Sequence, residues 1–284
     1  MKGITMISMT KKRKIIKISL TVLLTLGSVI MIAPVIWMIS SSLKFEGDVF
    51  NFPIEWIPKA FTSLNYEKAF NDFPYLQWYT NTIKITLFNV VGTVVVCSMA
   101  GFAFAKINFT GKKYIFFFYI ATLMIPVQVR IIPQFMLYRE LDLINNHWAV
   151  ILPWVMFNGF GIFYMRQSFM SLPDELIEAA RIDGCTNTKI YLKIALPLAK
   201  SSLIALGILA FIWSWNDYLG PLIYLTDSTK QVLSVGIASF KAQYSTNFAL
   251  QMAGATLALI PVIIVYLIAQ KYFIEGVAQS GMKE

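Results

Sequence analysis

Residues 165–200 read MRQSFMSLPDELIEAARIDGCTNTKIYLKIALPLAK, a polar stretch set between two apolar runs. Ser171-Leu172-Pro173-Asp174-Glu175 opens a helix: a serine able to cap, a proline in the first turn, and two acids where the helix dipole favours negative charge. The helix is predicted to reach about Asp183, where Gly184 stops it, because glycine accepts a left-handed backbone without a Cβ clash. Thr186 or Asn187 then caps a second helix that ends at Pro197. Leu172, Leu176 and Ala179/Ala180 fall on one stripe at helical spacing. Two short helices at an angle are expected, presenting small and acidic residues.

The flanks decide what kind of protein carries this hairpin. Of the 284 residues 57% are apolar and 14% charged, with a mean hydropathy of +0.63, whereas soluble domains carry roughly 25% charge. That balance points to a polytopic membrane protein. Ile18 to Leu43 and Ile85 to Ala105 are uncharged, and Tyr114 to Leu137 is broken only by Arg130. Trp148 to Met165 follows, then Ser201 to Leu225 broken only by Asp217, and a sixth run lies within Ala242 to Gln270. Helices of about 20 residues span the hydrocarbon, and these runs are too long for barrel strands. The fold expected is all-α, one membrane domain over 1–284. Six transmembrane helices fall near 16–41, 79–105, 113–137, 147–167, 200–225 and 250–271, with 171–197 as a cytoplasmic loop. Lys11-Lys12-Arg13-Lys14 resembles the start of a signal peptide, but the apolar run after it is too long and no Ala-x-Ala site follows, so an uncleaved helix is expected.

Charge orients the chain. With the N-terminus inside, the inner segments hold sixteen Lys and Arg: six before the first span, then Lys106, Lys112, Lys113, Arg166, Arg181, Lys189, Lys193, Lys200, Lys271 and Lys283. The outer segments hold six: Lys44, Lys59, Lys68, Arg139, Lys230 and Lys241. Both termini are therefore expected in the cytoplasm. Trp78 and Tyr79 outside, and Tyr272 and Phe273 inside, suit interfacial belts. The net charge of +9 is scattered between apolar runs instead of gathered on one face, which argues against nucleic acid.

The catalytic inventory is short. His147 is the only histidine, and its expected place is a membrane boundary. Gly111-Lys112 is the only Gly-Lys pair, with Lys106 where a phosphate-binding loop needs glycine. No Gly-x-Ser-x-Gly elbow occurs, and Cys97 and Cys185 make no disulfide framework or zinc spacing. No catalytic residue, metal site or cofactor is expected on this chain. Cys97, Gly101 and Ala105, four residues apart, read either as a seat for a neighbouring helix or as ordinary small-residue content.

Helical rise places Asp217 and Arg130 each roughly 24 Å along its span, near the depth of Lys84. An ion pair of Asp217 with Arg130 or Lys84 around an outward vestibule follows, unless Lys84 snorkels to the interface and Asp217 marks a helix end in water. Gln128, Arg130, Asn158, Tyr164, Trp213, Trp215, Asn216, Asp217 and Tyr218 are the candidates for a path lined by amides and aromatic faces; the aromatics can equally be lipid-facing or packing residues.

Glu178-Ala179-Ala180, three residues, Gly184, nine residues, then Ile194-x-Leu196-Pro197 resembles the EAA loop of bacterial ABC importer permeases, at every defined position. Phe52-Pro53-x-x-Trp56-Ile57-Pro58, Asn65-Tyr66, Ala100-Gly101-Phe102-Ala103-Phe104-Ala105, Trp215-Asn216-Asp217 and Tyr272-Phe273-x-Glu275-Gly276 extend the likeness over nearly the whole chain. They are similar to the second, smaller permease of maltose-type carbohydrate importers. The resemblance implies the type I importer permease fold in a bacterial cell membrane. It also implies a heterodimer with a different permease, two ATPase subunits carrying ATP and Mg, an extracytoplasmic solute-binding protein, and a sugar as substrate. It implies further that the first loop helix seats in a cleft of the ATPase: Glu178 is available to pair there with a basic group, Ala179 and Ala180 allow close approach, Gly184 with Pro197 fixes the bend, and Ile194 and Leu196 complete the coupling motif. A non-sugar solute such as glycerol phosphate remains an alternative. An ion-coupled transporter would want midplane acids or inverted repeats, and neither is visible.

Overall fold

Every described element is a helix. The computed structural model describes residues 2–240 and 247–281, with side chains placed for 13–14, 16–240 and 247–270. Lys2, Lys11, Lys12, Lys241, Lys271, Lys283 and the Tyr272, Phe273 and Glu275-Gly276 assignments lie outside the described side chains. In chain order the helices are α1 (Lys2–Ser42), α2 (Leu64–Asn71), α3 (Tyr75–Lys106), α4 (Lys112–Ala121), α5 (Val127–Glu140), α6 (Trp148–Met156), α7 (Gly159–Met170), α8 (Asp174–Ile182), α9 (Asn187–Ile190), α10 (Leu196–Leu198), α11 (Lys200–Trp215), α12 (Leu219–Tyr224), α13 (Leu233–Ser239) and α14 (Phe248–Gly281). Four stretches are long and apolar enough to cross a bilayer: Ile16–Ser42, Tyr75–Lys106, Trp148–Met170 and Phe248–Gln270. Two bent pairs, Lys112–Met124 with Val127–Glu140 and Asn187–Leu198 with Lys200–Trp215, raise the number to six if each counts as one span.

The chain packs as two units, residues 1–72 with 240–257 and residues 73–239 with 258–284. In the first, α1 exposes apolar side chains all round, Leu23, Ile30 and Met31 among them, as a helix solvated by hydrocarbon does. The chain beyond α1 is tied down by polar groups. Asn65 Nδ2 donates to the carbonyls of Ser42 and Lys44 at 2.9 and 2.7 Å, and the Tyr66 and Ser42 hydroxyls bond at 2.7 Å, which explains why Asn65-Tyr66 stands where it does. Buried Lys44 donates to the Glu55 carbonyl. The Glu46 carboxylate accepts the N–H groups of Phe248 and Ala249 at 3.0 and 2.8 Å, satisfying two of the orphan donors that open α14.

In the second unit α3 is the axis, about 48 Å long at 1.5 Å per residue. Its small-residue stripe seats α7. A Cβ on Gly101 would stand 2.7 Å from Met165 Cβ and 2.8 Å from the Arg166 nitrogen, and a Cβ on Gly161 of α7 would stand 2.6 Å from Cys97 Sγ. Only glycine lets the two backbones meet this closely. On another side, Asn89 Nδ2 donates to Ser214 Oγ at 2.9 Å and Ser214 Oγ to Thr86 Oγ1 at 3.3 Å, a buried polar ladder joining α3 to α11. Near the N-terminal end of α3 the Trp78 indole donates to the Ser228 carbonyl at 2.6 Å, Asn81 Nδ2 to the carbonyls of Thr229 and Gln231, and the Leu233 N–H to Thr82 Oγ1. These bonds fasten residues 228–233 to α3.

The runs expected as straight spans are broken. The 113–137 run turns by 103° between Met124 and Val127, because Pro126 has no N–H to give and holds Ile125 extended. The 147–167 run is divided at Phe157-Asn158, where the Asn158 side chain accepts the Gly161 N–H and restarts the helix. The 200–225 run stops at Trp215 and resumes at Leu219.

Gly101→Ala forces a methyl into backbone and should cost about 1–3 kcal/mol, as overpacking does. Gly207, in α11, has no neighbour closer than Val94 Cγ2 at 3.6 Å. Gly207→Ala should leave the thermal midpoint in detergent unchanged or raise it, while Gly101→Ala lowers it by several degrees. Equal midpoints would remove the close-approach reading of α3 and α7.

Candidate functional site

The hairpin forms, with local causes that partly differ from the sequence reading. Ser171 does not cap α8; its hydroxyl donates back to the Ser168 carbonyl at 2.8 Å, and Pro173 holds the N-cap position. Asp174 and Glu175 occupy the first turn as expected. At the other end Gly184 has φ +79°, its N–H bonds the Arg181 carbonyl at 3.0 Å, and the Cys185 N–H bonds the Ala180 carbonyl at 2.9 Å. This is a Schellman ending, which glycine accommodates without strain. Thr186, not Asn187, caps the second helix through Lys189 N–H. Beyond α9, Tyr191–Ala195 widens into a π-helical turn, α10 carries Pro197, and the chain bends by 80° into α11 at Ala199, two residues past the expected stop.

The buried stripe is also shifted. Ile177 and Ala180 enter the core formed by Phe102, Phe104, Met165, Phe169, Ile190, Ala195 and Leu206, whereas Leu176 is exposed. Ala180 therefore faces the chain's own core. Glu178, Ala179, Gly184 and Pro197 face outward, and Ile194 and Leu196 are half-buried against the core.

Polar bonds fix the hairpin to the C-terminal end of α3. The Lys106 ammonium donates to the Asp174 carboxylate at 2.6 Å and to the Leu172 carbonyl at 2.7 Å, and Arg181 Nη2 donates to the Lys106 carbonyl at 2.8 Å. The Tyr191 and Ser98 hydroxyls bond at 2.7 Å, and the Tyr191 ring packs on Phe102. The hydrogen bond from Lys106, reinforced by its charge, holds the Asp174 carboxyl below the usual carboxylate range.

The second feature is a cavity of about 500 Å³ walled by α5, α6, α7, α11 and α12. Arg130, Asn158, Trp213 and Asp217 line it together. The expected ion pair is not formed: among the described residues no cation lies within 4 Å of Asp217, and Lys84 is exposed and outside the cavity. Instead the Trp154 indole donates to Asp217 Oδ2 at 3.2 Å and the Gly220 N–H to Oδ1 at 3.4 Å. Arg130 and Asp217 do share one cavity, but the carboxylate is taken by the indole and the amide and not by a cation. Trp154 stacks on Trp213 with centroids 6.2 Å apart, and Phe160 meets Trp213 edge to face at 5.3 Å. Asn158 Oδ1 is used in capping α7, but its buried Nδ2 has no acceptor among the described residues. The wall thus combines aromatic faces, an acceptor in Asp217 and donors in Arg130 and Asn158, a set that suits a hydroxyl-rich molecule.

The other path candidates stand elsewhere. Tyr164 stacks on Phe160, half-buried. Trp215 is buried, donating to the Ala258 carbonyl and stacking on Phe211, and Asn216 donates to the Ile212 carbonyl at the end of α11. Gln128 and Tyr218 are exposed and do not line the cavity. Sequence reasoning passed over Trp154, Phe160 and Gln134 in the lining. Trp154 had one usable signal, its spacing four residues before Asn158.

A multi-pass helical subunit with a helical hairpin and a polar-aromatic cavity is the architecture of a transport permease. Residues 94–279 match the family described as binding-protein-dependent transport system inner membrane component. The arabinooligosaccharides transport system permease protein AraQ of Bacillus subtilis is 34% identical over 272 residues, covering 94% of this chain and 96% of the relative. The lactose transport system permease protein LacG of Rhizobium radiobacter is 30% identical over 271 residues, covering 95% and 98%. A solved bacterial ABC transporter involved in the import of the acidic polysaccharide alginate has a chain with a TM-score of 0.80 and 27% identity, covering 92% of this chain and 97% of that one. The chain belongs to the family of inner-membrane permeases of binding-protein-dependent ABC importers. Membership implies a partner permease, an ATPase and a binding protein in general.

Two outcomes follow. In a double-mutant cycle on uptake, Asp217→Asn and Trp154→Phe should be non-additive, while Asp217→Asn and Arg130→Gln should add; the reverse pattern would restore the ion pair. For Asp174, a folded pKa below the unfolded value gives stability that is present at neutral pH and lost as pH falls through the folded value. Intrinsic-rate-corrected hydrogen exchange should keep α8 protected down through the ordinary carboxylate range and release it only below that. Asp174→Asn should reduce the protection already at pH 7.

Proposed function

We propose that this chain is the second permease of an ATP-driven importer for a sugar or oligosaccharide, paired with a different permease, two ATPase subunits and an extracytoplasmic solute-binding protein. ATP and Mg belong to the ATPase, and this chain binds no cofactor. Both termini and the hairpin lie on the cytoplasmic side, a reading supported by the sixteen-to-six excess of inner Lys and Arg.

One observation carries the coupling role: Glu178, Ala179 and Gly184 on the outward face of the hairpin are exposed, while Ile177 and Ala180 pack into the core with α3 and α7 and Asp174 and Arg181 bond Lys106. A movement imposed on such an element is passed to the spans. Glu178 supplies a surface charge worth only about 0–1 kcal/mol as an ion pair, so it sets geometry more than affinity. Ala179 permits close approach, and Gly184 and Pro197 fix the bend. ATP binding by the partner then biases the outward-facing state and hydrolysis restores the inward one.

The sugar reading draws support from the named transport of the relatives and from the aromatic wall of Trp154, Phe160 and Trp213 with Asp217 and Asn158 beside it. Arg130, without a carboxylate within 4 Å among the described residues, keeps an acidic or phosphorylated sugar within reach of the same wall.

Gly184→Val places a β-branched residue at φ +79°, and Glu178→Lys reverses the presented charge. Both variants should still insert, yet lose ATP-driven uptake in reconstituted vesicles and retain less ATPase on purification. A single cysteine at Thr188 in the same vesicles should react only from the ATPase side. Normal uptake and ATPase content in both variants would refute the coupling role.

A further inference from the structure

A second cavity, of about 410 Å³, lies where α3 hands over to α4, and it is cationic. Its walls are Lys112, Lys113 and Arg166 with the rings of Phe109, Tyr114 and Phe116. Gly111, at φ +82°, turns the chain into α4, so the positive end of that helix opens beside the cations. Lys112 Nζ spends two of its donors on the carbonyls of Ala105 and Ile107, at 3.3 and 2.9 Å, which close α3. Arg166 Nε donates to the Phe104 carbonyl at 3.3 Å, and its guanidinium carbon sits 4.3 Å from the centre of the Phe116 ring. That leaves both Nη groups of Arg166 and the whole ammonium of exposed Lys113 without a protein partner among the described residues.

The charges are uncompensated as well. Among the described residues no carboxylate lies within 4 Å of any of the three cations, although Lys106, one turn before the cavity, has Asp174. Three cations gathered beside a helix N-terminus repel one another unless an anion joins them. The surroundings say which kind of anion. From the cavity α4 continues as an apolar helix whose Ile115, Phe117 and Phe118 are exposed, so an anion bound here has a hydrocarbon-solvated face directly beneath it. A phosphate with acyl chains meets both demands.

We infer that Lys112, Lys113 and Arg166 form a binding site for the phosphate headgroup of an anionic phospholipid, with its chains lying along the Ile115–Phe118 face of α4. Basic pockets between membrane helices on the cytoplasmic side hold anionic lipid in this manner. The site is separate from the 500 Å³ cavity and does not depend on which solute is carried.

The test is native mass spectrometry of the full-length chain, purified in neutral detergent with any subunits that stay bound, against dioleoyl phosphatidylglycerol and dioleoyl phosphatidylcholine. Phosphatidylglycerol should bind well ahead of phosphatidylcholine, and excess inorganic phosphate should not displace it. Lys113→Gln, at an exposed residue that contributes nothing to packing, should weaken phosphatidylglycerol by about fivefold, and the Lys113→Gln/Arg166→Gln pair by about 30-fold. Equal binding of the two lipids, or unchanged affinity in both variants, overturns the site. Displacement by inorganic phosphate reassigns it to a free anion. Unchanged lipid binding with loss of co-purifying subunits in the double variant assigns the cations to an acidic protein partner.

Discussion

The approach of α3 to α7 is the contact on which the rest of the second unit depends. Lipid tails are as apolar as leucine, so membrane helices gain little by hiding apolar side chains from one another and must instead pack closely. Gly101 against the backbone of Met165 and Arg166, and Gly161 against Cys97, supply that packing at two levels. The hairpin then attaches at the C-terminal end of this pair through Lys106, Asp174 and Arg181. Earlier along α3 the Cys97 thiol donates to the Asn158 carbonyl at 3.7 Å, so the break that borders the large cavity is held by the same neighbour.

The broken helices have a common logic. Backbone in hydrocarbon must find its hydrogen bonds within the protein, and irregular backbone survives at membrane depth only where it is buried or lines a polar cavity. Leu123 and Val127, on either side of the Pro126 break, line the 500 Å³ cavity; so do Phe157 and Asn158, and so does Asp217 between α11 and α12. Each break frees backbone groups, and local side chains answer them: Asn158 takes the Gly161 N–H and Asp217 takes the Gly220 N–H. The polar groups of the cavity are in part those that the interruptions required.

What could be read from the sequence was what depends on local chemistry. The Gly184 stop was legible because only glycine fits that conformation cheaply, and the Thr186 cap because a side-chain oxygen meets a nearby N–H. Ser171 misled because its hydroxyl bonds back to the Ser168 carbonyl, and Pro173 holds the N-cap position of α8 instead. Asp217 misled for a different reason. Its partner, Trp154, is 63 residues away and carries no charge to advertise it. Lys106 and Asp174 are 68 residues apart, and nothing in either neighbourhood marks them as a pair. Long-range polar pairing is decided by which helices meet, and that is set by glycine contacts that composition cannot distinguish from ordinary small residues.

The fastening of α3 at both ends makes it a lever. One end is tied by Lys106 to the hairpin, and Trp78, Asn81 and Thr82 near the other end are tied to residues 228–233. A rigid rod of about 48 Å that tilts by about 5° about its midpoint swings each end by about 2 Å, in opposite directions. In such a tilt a displacement of about 2 Å at the hairpin end is matched by one of the same size and opposite sense at residues 228–233, comparable to the 2.6–2.9 Å bonds that hold them.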